Sequence, residues 1–99
     1  MLWRQGDIFV ASVAAVPKGA APREHCVLAE GEVTGHSHRV ADPRAARLFA
    51  DAASLYLEVL ADTATVVHQE HGPITLPRGT YRVWRQREYS PEAIRIVRD

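Results

Sequence analysis

With a single cysteine, Cys26, among its 99 residues, the chain can form neither an internal disulfide framework nor a thiolate-rich zinc site. The lone thiol reads as a small core residue in a reducing compartment. Net charge is missing too: twelve basic side chains stand against twelve acidic ones. The protein therefore lacks the global field that gathers nucleic acid or an anionic membrane, and a charged partner has to be met locally. No apolar run approaches the ~18 residues of a membrane span, and the opening Met1 to Asp7 lacks the basic-then-apolar order of a secretory signal. The expectation is a cytoplasmic protein with no membrane partner. Repeats, low-complexity tracts and linkers are also absent. At this length, with 46% hydrophobic residues, the chain makes one domain over residues 1–99.

Helical period is scarce, and short β-type runs between proline and glycine punctuation take its place. Ile8 to Val13 reads as a strand followed by an irregular loop through Pro17, Gly19 and Pro22. Cys26 to Ala29 and Val33 to Val40 follow, with Gly31 and Gly35 suggesting bends or bulges. Arg47 to Phe49 suits a short strand, although Pro43 to Arg47 alone also suits a helical turn. Leu55 to Leu60 alternates, and Asp62 is expected to turn the chain so that Ala64 to His68 pairs with it. Pro77-Arg78-Gly79 predicts a hairpin between Ile74 to Leu76 and Thr80 to Arg87. Ser90 as N-cap, Pro91 at the first helical position and the Ile94/Val97 spacing predict a short C-terminal helical turn. The fold class expected is all-β, a small barrel or sandwich with that turn covering one edge.

What the chain does have is histidine, and four of its five fall in two clusters, His36-Ser37-His38 and His68-Gln69-Glu70-His71. Alternate residues of a strand project from one face, so His36 and His38 can direct two imidazoles at one ion. His68 supplies a third. His71 lies three residues on, which a regular strand would turn away, but Gly72-Pro73 implies a bend that brings it round. Glu70, then Glu30, Glu32 and Asp42, can serve as oxygen ligands, as acceptors for the distal imidazole nitrogens or as a general base. Three imidazoles and an oxygen suit zinc, iron, manganese, nickel or copper. Isolated histidines are more often surface or hydrogen-bonded residues, and His25 in its proline-rich loop reads that way.

These motifs resemble part of the cupin pattern. Gly31 to His38 with Asp42 looks like the first cupin motif, a glycine, His-x-His and an acid, and Gly72 to Gly79 looks like the second motif with its Pro-x-Gly turn. The resemblance implies a double-stranded β-helix with His36 and His38 as metal ligands. The chain departs from it in three places: the glycine-to-histidine spacing is one residue short, Asp42 replaces glutamate, and Tyr81-Arg82 stands where a histidine would follow the turn. The metal sphere would then recruit His68 or His71. His68 to Tyr89 is also similar to stretches of small uncharacterised bacterial proteins.

A second constellation, Tyr81 to Tyr89, interleaves arginines with aromatics. On a strand, Arg82, Trp84 and Gln86 share one face, while Tyr81, Val83, Arg85 and Arg87 share the other. An exposed Arg-Trp platform would engage a protein or RNA, whereas the packing alternative puts Tyr81 and Val83 in the core. Zero net charge favours packing. Trp3 or Trp84 leaves room for a homodimer interface. The leading expectation is a transition-metal site built on His36, His38 and His68, with His71 or a carboxylate as fourth group. Its enzymatic extension is metal-assisted hydrolysis or oxygen chemistry on a small molecule, with Glu70 and His71 as the reactive side chains. The alternatives are a non-catalytic accessory module and a metal-free phosphodiesterase using histidine acid/base chemistry.

Overall fold

The computed structural model describes residues 1–30, 35–52 and 54–86, and within them every regular element is a strand. Runs of β-branched and aromatic residues with period two fit a pleated surface better than a helix, so each apolar run extends. The strands are β1 (Leu2–Gln5), β2 (Ile8–Val13), β3 (Ala21–Pro22), β4 (Val27–Glu30), β5 (Ser37–Val40), β6 (Ala46–Ala50), β7 (Leu55–Val67) and β8 (Ile74–Arg85). They form one antiparallel sheet in the order β1-β2-β8-β7-β5-β4, with β6 on the first half of β7 and β3 on β6. The sheet curls into a half-barrel. No helix among the described residues is long and apolar enough to cross a membrane. The C-terminal helical turn expected over Ser90 to Val97 lies outside the described residues.

Two long bent strands make the curl. β7 pairs with β8 from Leu55↔Val83 to Val59↔Gly79, and again from Thr63↔Pro77 to Val66↔Ile74. Between these stretches the register shifts, so residues 60–62 stand opposite Arg78 alone. Such an insertion bends the ladder and raises its twist. Leu60 and Ala61 find their acceptor outside the pair, both N–H groups donating to the Ala45 carbonyl. The expected turn at Asp62 and hairpin at Pro77-Arg78-Gly79 are therefore corrected. Both segments are corners within continuous strands, and Asp62 and Arg78 form an ion pair at 2.8 Å there. Proline lacks an amide donor and Gly79 sits at φ +155°, so this tripeptide suits a strand corner as well as a reversing turn. Arg47 to Phe49 is strand, within β6.

The inner face of the curl carries the core. Ile8, Val10, Leu48, Leu57, Val59, Val66, Leu76 and Val83 are buried there, with Leu28 and Val40 closing it from the β4–β5 side. Each such side chain contributes roughly 1.5–3 kcal/mol by leaving water. Tyr81 and Val83 join this core, as the packing alternative for their strand expects, and Tyr81 donates its hydroxyl to the Pro77 carbonyl. Cys26 is buried, its thiol directed at the Ala46 carbonyl.

Candidate functional site

Three chain segments meet at one end of the half-barrel. The β1–β2 turn supplies Gly6 and Asp7, β5 supplies His38 with His36 just before its first residue, and the β7–β8 loop supplies residues 68–73. Pairing brings the histidine clusters together: Arg39↔Val67 is the last β5–β7 partnership, so His38 and His68 extend from adjacent strand ends. Ring centroids are 4.3 Å apart for His38 and His68, 4.8 Å for His68 and His71, 6.1 Å for His38 and His71, and 5.8 Å for His36 and His68. His71 does come round to the other rings, by a bend at Gln69 to His71 after β7 has ended at Val67, not at Gly72-Pro73. Its ring lies against Gly6, where an added Cβ would stand 2.7 Å from Nε2.

Gln5 ties the end of the sheet to the site. Its side chain is 2% exposed, and its amide donates to the carbonyls of Val66 at 3.0 Å and Gly72 at 2.9 Å. Both amide hydrogens are thereby used, which leaves Oε1 an acceptor only. His38 Nδ1 lies 2.9 Å from it and must carry the proton of that bond. The Nε2 lone pair of neutral His38 then faces Asp7 Oδ1 at 3.4 Å. Burial is the largest cause holding the His38 pKa down to about 4, and His68 adds to it. Asp7 acts in the opposite direction, while His71 and Arg85 lower the value further. At neutral pH two acceptors therefore face each other.

His68 also sits below its ordinary pKa, by burial first and then by His71 and His36, with Glu70 and Asp7 acting against them. Its Nδ1 accepts the Glu70 N–H at 3.0 Å. His36 Nδ1 contacts Glu70 Oε1 at 2.7 Å. Gln69 fastens the loop to β5, accepting from the Ser37 amide and donating to the Gly35 carbonyl. As the side chains stand, no three His, Cys, Asp or Glu among the described residues form a group that could hold a metal ion.

All four clustered histidines and Glu70 thus share one site. The other candidates lie elsewhere: His25 is exposed and accepts the Val27 N–H, Asp42 is paired with Arg44 in its own turn, and Glu30 ends β4. Glu32 lies outside the described residues. Gln5 and Asp7 are the residues that sequence reasoning missed. Flanking a turn glycine, they look like ordinary hairpin chemistry, and only the sheet order places that turn beside the histidines. In the second constellation, Phe9 stacks on Trp84 at 5.7 Å, Arg82 lies over Trp84, and Arg82 Nε donates to Ser54 Oγ. That face is occupied by its own packing, and Arg87 to Tyr89 lie outside the described residues.

Residues 4–86 match the model of a domain of unknown function, DUF8820, and the chain belongs to that family. No curated protein and no solved structure matches it.

Proposed function

We propose that this protein binds one divalent transition metal at the end of the half-barrel, through His38, Asp7, His68 and His71, and uses it for hydrolytic chemistry on a small molecule. Zinc, iron, manganese, nickel and copper all suit such donors. The observation that carries the reading is the pairing of His38 Nε2 with Asp7 Oδ1. Two ligands about 2.1 Å from one ion at a near-tetrahedral angle stand about 3.4 Å apart, and the two atoms are 3.4 Å apart with no proton assigned between them. A cation turns that repulsion into two bonds. Imidazoles sharing an ion have ring centroids roughly 4.5–5.3 Å apart. The spacings of 4.3, 4.8 and 6.1 Å among His38, His68 and His71 straddle that range, so modest ring rotations suffice.

His68 exchanges the Glu70 N–H for the ion at Nδ1, which an exposed loop tolerates because water replaces the lost partner of the amide. Gln5 is the partner that metal-binding histidines usually have on their distal nitrogen. When bound, the ion supplies a Lewis acid and an acidified water. Glu70 and His36, 2.7 Å apart beside the three-ring group, accept and pass on the proton. Of the cupin resemblance, the His36-x-His38 step is what the proposal keeps, with His36 moved from ligand to proton carrier.

Elemental mass spectrometry of tag-free protein tests the reading. One equivalent of metal is expected. His38→Ala, His68→Ala and Asp7→Asn should each weaken binding at least tenfold, and His25→Ala should leave it unchanged. Glu70→Gln and His36→Ala should lower turnover more than occupancy. A protein that takes up none of the five metals overturns the proposal in favour of an accessory module or metal-free acid/base chemistry.

A further inference from the structure

Where the ends of β2, β4 and β8 approach one another, a half-open cavity of about 250 Å³ lies near the histidine cluster. Ile8, Leu28 and Val83 from β2, β4 and β8 line it together with the charged residues Arg23, Arg85 and Asp51. Arg85 spans the opening of the half-barrel. Its Cα pairs with Ile8 on β2, and its side chain donates to the Glu30 carbonyl at the end of β4. A guanidinium has five donors, so that bond leaves others for a ligand. Cavity and cluster share strand ends. Ile8 follows Asp7, and Ala29, which lines the cavity, is the register partner of His38. Directly opposed residues on neighbouring strands stand about 5 Å apart, so Ala29 in the cavity lining stands next to His38.

We infer that this cavity binds a small monocarboxylate with a compact apolar body and is the substrate pocket of the histidine site. Two arginines against one aspartate leave a single net positive charge in the lining, which matches a monoanion rather than a phosphate dianion, and the planar fork of arginine matches a carboxylate in two parallel bonds. At the ~30 Å³ that one water occupies in the liquid, the volume admits roughly eight or nine heavy atoms. The buried aliphatic side chains receive the apolar body, and the arginines hold the charge. The link to chemistry rests on the proposed metal site, but binding in the cavity requires no ion.

The experiment therefore uses metal-free protein. Backbone amide NMR with benzoate as probe, and neutral benzamide as its isostere, separates charge recognition from simple cavity filling. Saturable shifts are expected at Leu28, Ala29, Leu55 and Val83, at least tenfold stronger in affinity for benzoate. Arg23→Gln, an exposed substitution safe for the fold, and Arg85→Gln should each weaken benzoate about tenfold, and Ala29→Leu should exclude both probes. Because the titrations contain no metal, failure of the metal reading leaves benzoate binding unchanged and is told apart from failure of this one. Equal binding of benzamide and benzoate, or no saturable binding of either, overturns the inference.

Discussion

The consequential side chain of the site is neither a histidine nor an acid. Gln5 satisfies the buried Val66 carbonyl at the end of β7 and the partly buried Gly72 carbonyl of the β7–β8 loop, and with its remaining oxygen holds the His38 proton on Nδ1. Replacing it with leucine strands the Val66 carbonyl and the His38 N–H away from water, at a cost of about 2–4 kcal/mol. It also releases the His38 tautomer, and lost support of this kind typically weakens metal affinity 10–100-fold. Gln5→Glu keeps the acceptor for His38 but sets a carboxylate against two carbonyls, so it should destabilise the fold while raising the His38 proton affinity. Long-range nitrogen–proton NMR of the metal-free protein reads the tautomer directly. A proton on Nδ1 is expected in the wild type, and one found on Nε2 would remove the argument for a cation between His38 and Asp7.

At the scale of the element, the β1–β2 turn is the part of the fold on which the site leans. Gly6 sits at φ +59°, a region that costs other residues about 1–2 kcal/mol, and its bare α-carbon is where the His71 ring rests. Gly6→Ala should lower stability by about that amount and push His71 outward, which urea denaturation and the His71 ring resonances would register. An unchanged His71 environment would show that the ring does not depend on the turn. The same element explains what was legible. Alternation marked the first half of β7, because burial on one face writes itself into every second residue, and glycine and proline punctuation marked β2 and the runs of β8, while Arg47 to Phe49 in β6 suited strand and helical turn alike. The corners misled, since Asp62 and Pro77-Arg78-Gly79 carry residues that serve a reversing turn and a bulged bend equally. The histidine clusters were visible as composition along the chain. Asp7 and Gln5 were not, because their function arises from the sheet order, and sheet order is set by long-range pairing that no local window contains.

At the scale of the whole molecule, the core and the site are separate. The buried aliphatic side chains fill the inner face of the curl, Gln5 and His38 are buried at its end, and His36, His68 and His71 lie in the segments flanking the strands. An ion at such a place completes a site without building the core, unlike a structural zinc whose loss unfolds its domain. Chelator should therefore leave the strand-type circular dichroism spectrum unchanged at neutral pH. Acid should not be so harmless to the metal-free protein. His38 takes up a proton near pH 6.5 when unfolded but only near pH 4 when folded, because burial opposes its charge. Between those values the unfolded state binds more protons, so stability is full above about pH 6.5 and falls as pH drops toward 4, by on the order of 3 kcal/mol. The downward shift of His68 acts in the same direction. Urea midpoints measured from pH 7.5 to 4 should trace this loss, and His38→Gln, which cannot titrate, should flatten it. If chelator alone melts the sheet at pH 7.5, the strand ends are held by the ion, the site is structural, and the hydrolytic reading gives way to that of an accessory module.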